Sequence, residues 1–400
     1  MKIVKIILVG ILLFLIAGTV VIRFFFPAAR IRALAQSQIR SQMHREAQMG
    51  DISLGLFGLS IERFRLSEKP GFAAGTFLYV ENVRIRWSLW PLLHRRLWLS
   101  NVLLEQPQVN LIRLPDGKTL NISDLIQETN QRAMVPPEVQ WAAIGTQAAP
   151  AARSDWTWFI REIRLKEGII RLDDRSPAQQ STSLNDINLL LKDFDATRMQ
   201  GRLTISLVQN AFYKARDLSV EWALTDLDPT FGHANGWAKL RQGPGSIDNI
   251  PALVSSGKSA RTLFLPLMLL QNLDHAGILR IGGPDLRHWV IEHISGDYTF
   301  DHGTMRIQNF TVTSRQLGMQ AGGWVQLASG QLDVDVHLQA PKTARAGAMD
   351  LQMHLSGTLN HPKTDIQSLK QQAFKATVNG LLQSSDVRDQ VDKALQKLFH

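Results

Sequence analysis

Val80-Glu81-Asn82-Val83-Arg84-Ile85-Arg86-Trp87-Ser88-Leu89-Trp90-Pro91-Leu92-Leu93 decides the fold class. Val83, Ile85, Trp87 and Leu89 stand at odd positions, with Arg84, Arg86 and Ser88 between them. Successive side chains of a β-strand face opposite sides, so this alternation predicts a strand with one dry and one wet face. Pro91 and His94-Arg95-Arg96 close it in a turn. A further strand leads to Glu105, and Val109 and Leu111 continue the dry face. Pro115-Asp116-Gly117-Lys118 is a turn signal, and Asn121 to Gln131 reads as a short helix with Ser123 as N-cap. Upstream, Gly58-Leu59-Ser60-Ile61-Glu62-Arg63-Phe64-Arg65-Leu66-Ser67 is another strand.

The same pattern returns after an Ala- and Pro-rich, nearly uncharged stretch, Met134 to Arg153, which reads as a linker or long loop. Leu332-Asp333-Val334-Asp335-Val336-His337-Leu338 and Met349-Asp350-Leu351-Gln352-Met353-His354-Leu355 alternate without a fault. Gly, Asn and Asp separate such runs, as in a meander of hairpins. Arg164 to Leu172 resembles Tyr298 to Ile307, each with a polar residue and Gly between two apolar runs, and reads either as a repeated hairpin unit or as two unrelated hairpins. Ile250 to Asn272 and Asp365 to Phe399 look helical, the latter with an apolar stripe opposite a basic face.

At the N-terminus, Ile6 to Ile22 carries no charge and is mostly Ile, Leu, Val and Phe. A membrane-spanning helix needs roughly 17–25 such residues. The anchor residues are Ile6, Leu13 and Ile22, with Phe24 and Phe25 at the headgroup layer. A cleaved signal peptide is the rival, but Ala33-Leu34-Ala35 lies beyond Arg23, Arg30 and Arg32, far from the apolar run. Lys2 and Lys5 precede the run and arginines follow it, so basic residues leave the orientation open. Arg30 to Gln48 reads as an amphipathic helix, with Ile31, Leu34, Ala35, Ile39 and Met43 as its stripe and Arg30, Arg32, Arg40 and Arg45 in water; it suits either a headgroup surface or a docking site.

The net charge is +9 from 44 Lys+Arg against 35 Asp+Glu, spread along strands rather than gathered, without a nucleic-acid-binding signature. Anionic headgroups are the simpler partner. Cysteine is absent, which excludes disulfides and thiol chemistry. His288, Glu292, His293, Asp297, Asp301 and His302 lack the spacing of a zinc helix. Gly257-Lys258-Ser259 lacks the upstream glycine of a phosphate loop, and Gly243-Pro244-Gly245 reads as a turn. No metal, cofactor or catalytic constellation is predicted.

What the chain has in surplus is one-sided apolar strand, more than the few hundred Å² that soluble monomers expose. Either a second sheet covers it, as in a sandwich, or the sheet curls into a trough for apolar ligands.

Several motifs, in order, resemble the AsmA family of Gram-negative envelope proteins: the single N-terminal anchor; Gly50 and Ile52 before Phe57-Gly58-Leu59; Val83 to Leu93; Gln106-Pro107-Gln108-Val109-Asn110-Leu111; Asp116-Gly117-Lys118-Thr119-Leu120-Asn121; Ser295-Gly296 through Asp301-His302-Gly303-Thr304; and Ser356-Gly357-Thr358-Leu359-Asn360-His361-Pro362. The resemblance implies a bridge-like lipid transfer protein, anchored in the inner membrane and lying in the periplasm, linked to phospholipid delivery and outer-membrane assembly. The expected chain is a transmembrane anchor (1–29), an AsmA-like N-terminal region (30–132), a linker (133–155), a β-groove body (156–362) with a helical insertion near 250–272, and a C-terminal amphipathic helix (363–400). The fold class is mainly β, an elongated, curled antiparallel sheet with a few flanking helices. Its groove residues are Val83, Ile85, Trp87, Leu89, Val109, Leu111, Leu332, Val334, Val336 and Leu338, its partners phospholipids, the inner membrane and other envelope proteins, and it performs no catalysis. The alternative is a structural or interaction protein that assists outer-membrane assembly without carrying lipid. Roughly a dozen strands at about 4.8 Å spacing make a trough of about 60 Å, short for bridging two membranes alone.

Overall fold

A computed structural model describes residues 27–92, 96–123, 157–176, 181–194, 197–228, 230–249, 288–315, 317–340, 349–359 and 361–364. The expected anchor with Ile6, Leu13, Ile22, Phe24 and Phe25, the linker 133–155, the insertion 250–272 and all but the first residues of the C-terminal helix lie outside them. Among the described residues no helix is long and apolar enough to cross a membrane. The chain divides into two units, Met1–Asp195 and Ala196–His400. Both are built mainly of β-strands, with few helices.

In the first unit helix α1 (Ala28–Met43) is followed by β1 (Ala47–Gln48), β2 (Ile52–Gly55), β3 (Gly58–Ser67), β4 (Thr76–Ser88), the single turn α2 (Leu89–Leu92), β5 (Arg96–Glu105), β6 (Gln108–Arg113), β7 (Thr157–Asp174) and β8 (Thr182–Phe194). The helix ends earlier than its periodicity predicts. His44 takes the left-handed conformation (φ 52°) and its N–H donates to the Arg40 carbonyl. The chain beyond is drawn into the sheet, where Ala47 pairs with Leu66 and Gln48 with Arg65. Leu34, expected on the dry stripe, is exposed. Arg32, expected in water, instead donates to the Gly50 carbonyl at 2.7 Å, and Gln36 to the Ala47 carbonyl at 2.8 Å. Ile31, Ala35, Ile39 and Met43 of the stripe are half-buried, and these polar side chains add to the fastening of the helix.

β1 and β2 pair with β3, β3 with β4, and β4 with both β5 and β6, all antiparallel. β5 and β6 both run parallel to β7, and β7 is antiparallel to β8. The sheet is therefore mixed, not purely antiparallel. A parallel return needs a crossover of roughly a dozen residues or more, which the long stretch between Arg113 and Thr157 supplies. Motif glycines sit where strands touch: a Cβ on Gly50 would stand 2.8 Å from the Glu62 carbonyl oxygen, and one on Gly58 2.5 Å from that of Ile85.

A line of kinks crosses this sheet. Arg63 (φ 49°), Gln106 (φ 51°), Glu167 (φ 54°) and Asp186 (φ 52°) are left-handed within or between strands. Pairing sets them in a row: Glu62 faces Asn82, Asn82 faces Glu105, and Glu105 lies beside Lys166. Gln106 Nε2 donates to Glu167 Oε2 at 2.9 Å, and the Glu167 N–H donates to Asn188 Oδ1 at 3.1 Å. A left-handed residue interrupts the two-residue alternation, so the next dry side chain comes one position late. The sequence shows that slip in Ile61-Glu62-Arg63-Phe64, Leu104-Glu105-Gln106-Pro107, Leu165-Lys166-Glu167-Gly168 and Leu184-Asn185-Asp186-Ile187; Val80-Glu81-Asn82-Val83 of β4 has the same spacing without a left-handed residue.

The second unit holds β9 (Met199–Gln209), β10 (Tyr213–Thr225), β11 (Asn235–Gln242), β12 (Gly245–Asp248), β13 (His288–Ile291), β14 (His293–Asp301), β15 (Thr304–Thr313), β16 (Gly318–Gln326), β17 (Gln331–Ala340), β18 (Met349–Thr358) and β19 (His361–Thr364). Its recorded pairings are all antiparallel. Lys363 and Thr364, expected to open the C-terminal helix, belong to β19 and pair with Ser356 and Leu355. The two similar segments are not the same unit. Tyr298 to Ile307 is a hairpin turning at His302 (φ 47°) and Gly303 (φ 74°), whereas Arg164 to Leu172 lies inside the single strand β7, interrupted at Glu167-Gly168.

Candidate functional site

The dry face of β3 to β8 is continuous from strand to strand. Val83 lies between Ile61 and Leu104, and Ile85 between Leu59 and Val102. Val102 and Leu104 continue to Ile163 and Leu165 on β7, which meet Leu191 and Leu189 on β8. Beyond the kinks Val109 lies between Leu78 and Ile170, and Leu111 beside Leu172. Of the buried members of this face, Val80, Pro107, Gly168 and Ile187 follow the kink line, and Leu66 lies beyond it opposite Leu78. A Cβ on Gly168 would stand 2.7 Å from Leu165 Cδ2, 3.3 Å from Pro107 Cγ and 3.4 Å from Ile187 Cβ. Leu165 and Gly168 therefore face the same side, and the crease is tightly packed.

The flanks of the crease are less covered. Val83, Ile85, Trp87, Leu89, Val109 and Leu111 are all half-buried. Leu89 is not the end of the β4 alternation; it opens α2, after a register shift between Arg86 and Trp87. The Trp87 indole N–H donates to the Leu56 carbonyl at 2.9 Å, fixing the ring over the β2–β3 turn. The other face is polar and paired: Arg84 meets Glu105 at 3.2 Å, and Glu162 meets Arg164 at 2.8 Å and Asn101 at 2.8 Å. Such a creased apolar strip binds extended hydrocarbon by exclusion of water, worth about 0.8 kcal/mol per buried CH₂.

The four remaining predicted residues lie in the second unit. Leu332, Val334, Val336 and Leu338 share one face of β17, opposite Leu355, Met353 and Leu351 of β18, and are 2–8% exposed. Val325 joins Leu332, Val334, Val336, Met353 and Leu355 in one cluster, with Met305, Ile307, Met319 and Ala321 packed against it. The predicted residues thus form two sets, a half-open one on β4 to β6 and a closed one on β17.

A buried polar hub stabilises the first unit beyond the crease. Arg45, expected in water, is 1% exposed. Its guanidinium donates to the Ser67 carbonyl (3.2 Å), to Glu68 Oε2 (3.4 Å) and to the Asn121 carbonyl (2.6 Å), and lies 4.8 Å from the Phe77 ring centre. Asn121 Nδ2 donates to Glu68 Oε1 and to the Asn110 carbonyl, while its Oδ1 accepts from the Ile112 N–H. Asp116 shapes the turn that delivers Asn121, accepting the N–H groups of Lys118 and Thr119 at 2.9 Å each. Hydrogen bonds from Thr119 and Lys118 lower its carboxyl pKa. Gly117 (φ 68°) takes the position that disfavours a side chain. The Asp116-Gly117-Lys118-Thr119-Leu120-Asn121 motif is therefore a scaffold element. Asn121 lies in this turn, where Ser123 Oγ accepts the Leu120 N–H at 2.9 Å; the residues of the expected helix from 124 to 131 fall outside the described ones.

The histidines and acids between His288 and His302 pair locally. His288 meets Asp248, Asp297 meets Arg241 at 2.8 Å, and Glu292 meets Arg315 at 3.2 Å. Among the described residues no group of His, Asp and Glu is placed to hold a metal ion. Set against protein families, the sequence matches the AsmA family over residues 1–264. No curated protein and no solved structure matches the chain.

Proposed function

The chain belongs to the AsmA family, and from that footing we propose that it is an inner-membrane-anchored periplasmic protein that accommodates phospholipid acyl chains against the creased apolar face of β3 to β8. It contributes in this way to lipid movement between the two membranes and to envelope integrity, without catalysis. The observation that supports this reading is the half-burial of Val83, Ile85, Val109 and Leu111 along a strip whose floor, Val80, Pro107, Gly168 and Ile187, is dry. Acyl chains lie on such a strip while the charged headgroup stays at its wet margin.

The test is phospholipid bound to full-length protein, read by mass spectrometry after extraction from detergent. Ile85→Asp with Val83→Asp places charge on the strip at half-exposed positions and is expected to reduce the bound lipid severalfold. Arg84→Asp, on the opposite face, leaves it in place. Equal lipid in both variants removes the strip as the binding surface. The closed β17–β18 face supports a second reading, a structural protein that assists outer-membrane assembly without cargo; absence of phospholipid from the wild-type chain selects it.

A further inference from the structure

One end of the first unit's sheet carries aromatic side chains that the crease does not use. Phe57, in the β2–β3 turn, is 53% exposed, Trp90 on α2 is 75% exposed, and Trp98 at the start of β5 is 40% exposed. They belong to one rim. The Trp87 N–H donates to the Phe57 carbonyl at 3.0 Å, Ser88 pairs with Trp98, and Trp98 lies beside Phe159 of β7 with ring centres 5.6 Å apart. Cations flank them: the Arg161 guanidinium lies 6.0 Å from the Trp98 ring centre, and Arg86 is exposed two positions before Ser88. Tryptophan beside arginine is the composition that settles at the headgroup layer of a bilayer, and arginine adds attraction to anionic lipid.

The course of α1 identifies the end. Gly50 is bonded to Glu62 of β3, and Ala47 pairs with Leu66 further along the same strand. Arg32 holds Gly50 and Gln36 holds Ala47, so α1 runs from the level of Glu62 towards that of Leu66. Its first residues consequently lie on the side of Gly58, where Phe57 and Trp90 are. Directly upstream in the sequence is the uncharged run Ile6 to Ile22.

We propose that the Phe57–Trp90–Trp98 rim docks on the surface of an anionic phospholipid bilayer, setting the end of the creased strip at the headgroup layer where a lipid would enter or leave it. The proposal rests on the anchored reading above for the presence of a bilayer, and not on the strip carrying lipid. The chain contains no cysteine, so single-cysteine variants of the full-length protein can carry an environment-sensitive fluorophore without background. Phe57→Cys, Trp90→Cys and, at the opposite end of the same unit, Leu114→Cys are labelled and reconstituted in bilayers of phosphatidylethanolamine and phosphatidylglycerol. The expected result is a blue shift at Phe57 and Trp90 and loss of their emission when spin-labelled lipid is included, with neither at Leu114. Equal response at all three sites, or none at the rim, overturns the proposal. A blue shift at the rim without quenching by spin-labelled lipid also overturns it, since a protein then covers the rim. Rim quenching in protein that binds no phospholipid leaves docking standing while the carrier reading fails; bound phospholipid without rim quenching does the reverse.

Discussion

Val83 on β4 and Val334 on β17 occupy the same kind of position, mid-strand on the dry face of an alternating run, yet Val83 is half-buried and Val334 is 8% exposed. The difference lies in the strands around them. Those of the first unit are kinked by left-handed residues at Arg63, Gln106, Glu167 and Asp186; Val80, Pro107, Gly168 and Ile187 beside the kinks are buried, while Val83, Ile85, Val109 and Leu111 on the flanks are half-buried. β17 and β18 pair without interruption from Gln331–Thr358 to Ala340–Met349, and the buried residues of their dry face form one apolar cluster with Met305 and Met319 on the neighbouring strands. The first unit compensates for its open face with the hub of Arg45, Glu68 and Asn121. Alternation alone therefore does not say whether a strand face will close.

The hub should give the largest effect. Arg45→Met leaves the Glu68 carboxylate buried without its guanidinium, at a cost of about 3–5 kcal/mol. Hydrogen exchange is the suitable measurement, because it reads the two units separately where a single melting temperature would merge them. Amides of β1, β3 and the Leu120–Asn121 turn should lose protection, and those of β17 and β18 should keep it. Uniform loss across both units would mean that they unfold together and that the contrast is not energetic.

Paired truncations address the faces themselves. Leu355→Ala, at 4% exposure, should cost about 2–5 kcal/mol. Ile85→Ala, partly exposed already, should cost less than this, since the transfer term scales with the area hidden. Equal costs would show that the β4 face is covered in solution. At the crease, Gly168→Val drives a side chain into Leu165, Pro107 and Ile187, and about 1–3 kcal/mol of destabilisation is expected from the overpacking, read as lost protection in β7 and β8.

The strands themselves were legible because two-residue alternation is a strong signal, and Val83, Ile85 and Trp87 were placed by it. The crease was written in the same residues. Ile61 to Phe64, Val80 to Val83 and Leu184 to Ile187 are apolar pairs one position too far apart, each spanning two polar residues. Taken strand by strand, that spacing looks like a break between short strands; only when pairing aligns the breaks does it become a feature of the sheet. The parallel β5–β7 and β6–β7 pairings were hidden for a related reason, since direction depends on the connection, and alternation has no direction. A guanidinium in an amphipathic helix reads as wet, and nothing local to Arg45 reveals that the helix stops at Met43 or that Asn121, far along the chain, offers it a carbonyl. The burial of Val334 and Val336, against the half-burial of Val83, is not written in the alternation, which marks the dry face of a strand and not what lies over it.

The smallest effect expected is on the wet side of the sealed face. His354 of β18 sits opposite Asp335, its Nδ1 2.9 Å from Asp335 Oδ1, with Asp333 3.9 Å from Nε2. The hydrogen bond to Asp335, aided by the charge of Asp333, raises the imidazole pKa above its usual value. A histidine whose pKa is higher in the folded chain contributes stability below the unfolded value, near about 6.5, and loses it as pH rises through the folded value. His354→Gln should therefore lower protection of the β17–β18 amides at a pH below about 6 and leave it unchanged in alkaline solution, where the wild-type imidazole is neutral too. The pair is exposed, so the difference is small. Were the variant to lose protection equally at both pH values, the imidazole would be acting by packing rather than by charge, and the polar face of β17–β18 would share in closing the sheet rather than merely facing water.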